Sequence, residues 1–582
     1  MEKKKFPLSQ NSILALLMVI ALFVFAALSF DFYYDLNDDV MIKDILSGAY
    51  TGTPDGHCIQ MLYPISFLIS MCYRLIPAMP WQGIFLCVCQ GVCFYIVAKR
   101  SISLIEKKWK KVLLLLAEVL MILSLFLWET VIVQYTITAA MLVAAACFLV
   151  LTLPLQSDCD IKEFLTQQMP AIILVVLAFN VRSEMMLLMS PFVAFSGILK
   201  WSGEAKAFAA QTIKKYLSLV GLIVAGMIIS FVVDYMAYGS AQWKEFRDFF
   251  NARTQVYDYT WYPDYEEAEA FYLEEGVDRA EYALLDNYNF GLDEAIDAKL
   301  LWSIAEYADE NTVELPLGNR IKEAFSTYKW RTLHEDIPYS YMVILAYLLV
   351  VALAIGNKES SIVWKVILLA VFRTIPWMYV ILANRVPNRI SHPLYFIELV
   401  ILGAWITDYC RRSTKGVKWI GWVCAGILLC CACIHLPDSY KNVCQEMEHR
   451  ETVNEVMREF SAYAMSNPQN YYYLDVYSTV SFSEKMFKDV DNSQKNYDLP
   501  GGWVSGSPLQ KRVTLPYHNE LLSEAELLLK DNFFFVIEKE RSIGFLDDYY
   551  GTQGITLQTE VIEEIGNNAN PLQVYQVLPA GY

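Results

Sequence analysis

VIVQYTITAAMLVAAACFLVLTL, residues 131–153, runs for 23 positions without an aspartate, glutamate, lysine or arginine. A helix of about 20 mostly apolar residues crosses the roughly 30 Å hydrocarbon layer of a bilayer, so this stretch reads as a membrane span. The same template fits ten further segments, near 11–30, 82–98, 112–128, 169–181, 185–199, 216–234, 338–355, 362–383, 391–409 and 418–436. The segments at 169 and 185 are short, which predicts a hairpin that tilts or stops below the membrane surface. The expected fold is a polytopic α-helical membrane protein of eleven spans.

Composition agrees. Of the 582 residues 55% are hydrophobic, more apolar surface than one water-soluble core buries. The formal charge of −17 argues against a nucleic-acid partner, and its acid is concentrated. Residues 235–337 hold 22 Asp and Glu against 9 Lys and Arg. That stretch reads as a helical domain, because WKEFRDFFNARTQVYDY (243–259) and LDEAIDAKLLWSIAEYADE (292–310) carry apolar residues at helical spacing. Most of the 13 cysteines lie within apolar stretches and none follows Cys444, so the exposed parts are expected to fold without disulfides. MEKKK before residues 11–30 is similar to a signal peptide, but the apolar run is too long for a cleavable one and reads as a retained anchor.

Short cytoplasmic connections collect lysine and arginine. Counted over eleven spans, Lys3 to Lys5, the cluster Lys99 to Lys111, Lys200 to Lys215, and Arg411, Arg412, Lys415 and Lys418 all fall on one side. The N-terminus is then cytoplasmic and the C-terminus extracytoplasmic, in the plasma membrane of a cell that the absence of Asn-x-Ser/Thr sequons fits as bacterial. The apolar stretch 61–76 would break that register as a span. It is placed as an interfacial helix on the outer face, the alternative being a transmembrane hairpin turning at Pro77 and Pro80. The chain divides into a membrane module, 1–234, with a first outer loop at 31–81, the acidic loop 235–337, a second set of membrane helices, 338–436, and a tail, 437–582. The tail opens with a charged helix ending by Pro468 and continues in β-rich runs, YYYLDVYS, NFFFVIEKE, ITLQTEVI and LQVYQVL, which predict a small α/β domain. The turn-rich GGWVSGSP (501–508) is assigned no chemistry.

Beyond the first span the chain reads FDFYYDLNDDVMIKDILSGAYTGTPDGHCIQMLYP, residues 30–64. Asp38 and Asp39 open a helix that Gly48 closes, and locally Asn37 or Asp38 serves as its cap. Their place at the membrane surface, where a lipid-linked substrate would present its head group, also makes them candidates for chemistry. Arg182, between two spans, and Arg385 and Arg389, before the tenth, are cations at the membrane boundary that suit phosphate oxygens. For Arg182 a simple pairing with Glu184 is the competing reading, and for the other two a polar turn.

An acidic pair after span one, the small-residue turn LSGAY, then His57, Tyr63-Pro64 and a span ending at Lys99 and Arg100 resemble, in that order, the GT-C membrane glycosyltransferases. The resemblance is to the branch that holds the protein O-mannosyltransferases and aminoarabinose transferases, and it covers residues 10–200. It implies a sugar moved with inversion from a polyprenyl-phosphate carrier to a glycan, lipid or protein. Asp38 would be the base, and Asp39 would orient the acceptor or assist a divalent metal. Arg182, Arg385 and Arg389 would hold the donor phosphate, and His57 and Tyr63 the acceptor or sugar. The chain departs from the pattern where relatives carry paired histidines and a double proline, since it has Gly56-His57 and a single Pro64. No metal-ligand set is assigned. The rival from another class is a non-catalytic transporter or envelope-assembly protein. A transporter calls for ionisable residues at mid-membrane, where this sequence offers little beyond Glu118 and Arg373.

Overall fold

The computed structural model describes residues 9–154, 159–312, 315–412, 418–517, 522–566 and 570–581; Lys3 to Lys5 and Lys415 lie outside them. Twelve helices carry the chain into the acidic connector. They are α1 (Gln10–Ser29), α2 (Asn37–Ser47), α3 (Tyr63–Leu75), α4 (Trp81–Ser103), α5 (Lys108–Leu125), α6 (Leu127–Val131), α7 (Tyr135–Thr152), α8 (Ile161–Val181), α9 (Ser183–Leu188), α10 (Ser190–Ser202), α11 (Ala210–Ala237) and α12 (Ala241–Gln255). After the connector come Tyr339–Gly356, Ile362–Leu382, Asn388–Arg412 and Lys418–Ser466. All eleven expected segments are helical. Among the described residues eight helices are long and apolar enough to cross a membrane by themselves: α1, α4, α7, α8, α11, Tyr339–Gly356, Ile362–Leu382 and Asn388–Tyr409. The chain is a polytopic α-helical membrane protein.

The segment near 169 is not short. It is the latter part of α8, which starts at Ile161 because Asp160 caps it, its carboxylate accepting the Glu163 N–H at 2.7 Å. Its partner is interrupted instead. α9 and α10 part at Met189, where Pro191 supplies no N–H to bond back into the preceding turn. α7 is the axis of the bundle. Its alanines, Ala139, Ala140 and Ala144 to Ala146, are buried, and such small side chains let neighbouring backbones come close.

The connections sort to two faces. On one, Arg100 and Lys200 donate to the carbonyls of Thr152 and Leu153, at the end of α7. On the other, three large pieces pack together: the loop after α1, the acidic connector, and the C-terminal α/β domain. That domain hangs from one continuous helix, Lys418–Ser466, in which the last span and the charged helix are fused across Pro437. Its sheet runs β4-β3-β5-β7-β6, with β3 (Tyr471–Leu474), β4 (Tyr497–Asp498), β5 (Phe533–Glu538), β6 (Leu557–Ile565) and β7 (Leu572–Pro579). β3 is parallel to β4 and β5, and β7 is antiparallel to β5 and β6. All four residues of β3 are buried, as in a parallel strand covered on both faces. The run YYYLDVYS yields only that short strand because Asp475 caps a following helical turn, accepting the Ser478 N–H at 2.9 Å.

A quartet of charges, three buried and Glu484 partly so, fastens the domain to α2. Lys43 Nζ lies 2.6 Å from Asp44 and 2.5 Å from Glu484, and Lys495 Nζ lies 2.6 Å from Asp44 and 2.8 Å from Glu484. Arg450 adds hydrogen bonds to the carbonyls of Tyr34 and Asp35, at 2.9 and 2.8 Å. Against the connector, Gly291 and Gly501 allow a contact no larger residue would permit. A Cβ on Gly501 would stand 1.5 Å from the Tyr288 carbonyl oxygen, and one on Gly291 1.9 Å from that of Pro500. The turn-rich GGWVSGSP is thus a docking loop.

Candidate active site

α2 begins one turn after β1 (Tyr33–Tyr34), which pairs in parallel with β2 (Ile132–Val133) just ahead of α7. Neither Asn37 nor Asp38 caps it. Asp39 does, by reaching back so that its Oδ2 accepts the Leu36 N–H at 3.3 Å. Its Oδ1 accepts the first N–H of α7, from Tyr135, also at 3.3 Å. Asp39 is buried and splints two helix starts, and burial, with Asp35 and Asp38 nearby, holds its carboxyl well above the ordinary range.

Asp38, by contrast, is half-buried, and among the described residues its carboxylate makes no direct hydrogen bond or ion pair. Burial raises its carboxyl above the usual range, while the charges of Arg389, Arg253 and Arg182 favour the ionised form and that of Asp258 opposes it.

The three arginines arrive from three places. Arg182 sits in the break between α8 and α9, and its Nη1 donates to Gln60 Oε1 at 2.5 Å and to the Gln60 carbonyl at 3.3 Å. Its Nε lies 3.2 Å from exposed Glu184 and its guanidinium 5.4 Å from the Tyr135 ring, so the expected Glu184 pairing is present along with an inward contact. Arg389 stands in the first turn of Asn388–Arg412, without a direct partner among the described residues. Arg253, near the end of α12, donates to the Tyr288 hydroxyl at 2.7 Å and packs over the Tyr288 and Phe290 rings. Its Nε is buried without an acceptor. Arg253 and Gln60 were not expected from the sequence, because nothing local separates Arg253 from other charges of an acidic amphipathic helix.

Arg385 stands one step out, paired with Asp258 at 3.1 Å and lying over Tyr259. His57 and Tyr63 lie elsewhere, in an aromatic cluster where the His57 ring stacks 4.9 Å from Trp243 and contacts Tyr63 and Tyr238. His57 Nδ1 is 2.6 Å from Asp55 and Nε2 3.3 Å from the Ala237 carbonyl. Both ring nitrogens are thereby engaged, Nδ1 within the first loop and Nε2 in holding that loop to the end of α11. The Tyr63 N–H is bound by Asp234 at 2.9 Å. No group of three or more His, Cys, Asp and Glu is gathered as for a metal among the described residues.

The arrangement offers a carboxylate without a direct partner among the described residues, within the electrostatic reach of Arg389, Arg253 and Arg182. Such a site can accept a proton on one side and neutralise a phosphate on the other.

No family model matches this chain, and no curated protein matches it. Among solved structures it is similar to ArnT from Cupriavidus metallidurans bound to undecaprenyl phosphate, at 10% sequence identity and a TM-score of 0.37, over 97% of this chain and 98% of that one.

Proposed function

We propose that the protein is a membrane glycosyltransferase that moves a sugar from a polyprenyl-phosphate donor to a hydroxyl of a cell-envelope glycan, lipid or protein. Asp38 takes the proton from the acceptor hydroxyl as its oxygen attacks the anomeric carbon. The bond between that carbon and the phosphate oxygen breaks, the electron pair leaves with the phosphate, and the anomeric configuration inverts. Arg182, Arg253 and Arg389 offset the charge that develops on the departing phosphate. Arg385 is held for the phosphate's approach by its pairing with Asp258. Asp39 keeps α2 in place, and no step is routed through a metal. The first loop (31–81), the connector (235–337) and the tail domain (437–582) are extracytoplasmic in this reading, and the N-terminus is cytoplasmic.

The observation that supports it most directly is the Asp38 carboxylate, without a direct partner among the described residues yet within the field of three arginines. Membranes carrying Asp38→Asn, supplied with a radiolabelled polyprenyl-phosphate sugar, should lose transfer by about 10²-fold or more at unchanged expression. Turnover at the parent rate removes Asp38 as base.

A further inference from the structure

The connector's last helix, Leu317–Trp330, touches the molecule along one narrow strip. Ala324 is its single buried residue among those described, and Tyr328 is half-buried. The Tyr328 hydroxyl accepts a hydrogen bond from Arg373, whose guanidinium lies 5.3 Å from the tyrosine ring, and that ring meets Trp377 edge-on at 5.3 Å. Arg373 and Trp377 belong to the span Ile362–Leu382 and precede its end by nine and five residues. At 1.5 Å per residue they lie about 13 and 8 Å along the helix from its C-terminal end. Tyr328 therefore packs beside the interior of an apolar helix long enough to cross a membrane, which falls below the head groups if that helix spans the hydrocarbon end to end.

The chain stays at that level as it continues. The Arg331 guanidinium is 3.4 Å from Ser391 Oγ, and Asp336 accepts a hydrogen bond from Tyr395 at 3.0 Å. Both partners lie within the first two turns of Asn388–Arg412. Arg373 is itself neutralised by Glu398, which also accepts the Tyr347 hydroxyl at 2.6 Å, so no bare charge faces lipid on the packed side.

On a wheel of 100° per residue Leu317, Ile321 and Phe325 continue the apolar arc begun by Ala324 and Tyr328. All three are exposed, by 67%, 40% and 50%. Lys322, Glu323, Ser326 and Lys329 occupy the opposite arc. The span beneath leaves Ile367, Val371 and Ile375 exposed as well, apolar surface of the kind that lipid covers. We propose that Leu317–Trp330 is an amphipathic helix seated in the leaflet on the site face, with Leu317, Ile321 and Phe325 against acyl chains. The end of the acidic connector is then a membrane element, and its occupant is bilayer lipid.

The test places photoreactive p-benzoylphenylalanine, one position at a time, at Ile321, Glu323, Phe325, Ser326 and Val371 of the full chain in phosphatidylglycerol/phosphatidylethanolamine vesicles. After irradiation, adducts are identified by mass spectrometry. Lipid adducts at 321 and 325 comparable with those at Val371, and their loss at 323 and 326, are expected. The proposal is overturned if 321 and 325 label no better than 323 and 326, or if their adducts are to a second copy of the chain.

Discussion

Asp38 and Asp39 are adjacent and chemically alike, and the fold gives them opposite uses. Asp39 spends both oxygens on backbone N–H groups of two helices, so Asp39→Asn should act on stability, lowering Tm by disturbing two helix starts at a cost of about 1–2 kcal/mol. Asp38→Asn should leave Tm unchanged and abolish transfer. Between neighbouring carboxylates the sequence offers no means of choosing, because which one reaches back to Leu36 depends on where α7 begins. The arginines divide in the same way. Arg182, Arg385 and Arg389 were legible as cations at span ends, whereas Arg253 reaches the site only through the docking of the connector. A pH profile tests the electrostatics: positive charge from Arg389 favours ionised Asp38, so Arg389→Gln raises the Asp38 pKa. The acid limb of kcat/KM then moves to higher pH, and an unmoved limb dissociates Arg389 from the base.

At the scale of elements, helices were legible and their joints were not. Apolar length located all eight helices that are long and apolar enough to span among the described residues, but the early start of α8, the break at Met189 and the fusion of the last apolar segment with the charged helix depend on Asp160, on Pro191 and on packing against the sheet. The Lys43, Asp44, Glu484 and Lys495 quartet is likewise invisible in sequence, since its members come from α2 and a distant loop. Although burial raises the Glu484 carboxyl, the two lysines hold it below the ordinary range. Asp44→Asn leaves both lysines short of a carboxylate inside that interface, a loss of about 3 kcal/mol visible as an earlier thermal midpoint. In the sheet domain Glu524 behaves oppositely. Burial pushes it from its ordinary 4.5 up to about 7, despite the Tyr473 hydroxyl that donates to it. The folded domain then binds a proton that the unfolded chain has released, so this group's stabilising contribution is full below about 4.5 and lost as pH rises to about 7. Glu524→Gln should flatten that part of the stability curve, and a curve that keeps its slope places the proton elsewhere.

At the scale of the whole molecule, contacts between distant parts constrain topology more tightly than hydropathy does. The loop after α1 meets the C-terminal domain through Lys43 and Glu484, and the connector meets it through Asn289 and Asp475 at 3.0 Å, so all three lie on one face. That requires an even number of crossings between the loop and the connector, and again between the connector and the tail. In the proposed eleven-span path α4, α5, α7, α8, α9 with α10, and α11 supply the first set, and the four helices from Tyr339 to Ser466 supply the second. Treating α3 as a thirteen-residue crossing would make the first count odd and separate groups that touch. In the orientation we propose, the charge rule puts the site face outside, since Lys200 and Arg412 lie on the opposite face. An epitope following Tyr582 should bind antibody on intact cells, while one inserted between Gly203 and Lys206 should need permeabilisation. If both tags respond alike, the eleven-span path is wrong. If they exchange behaviour, the path stands but Asp38 faces the cytoplasm, and a donor displayed on the outer leaflet could not reach it.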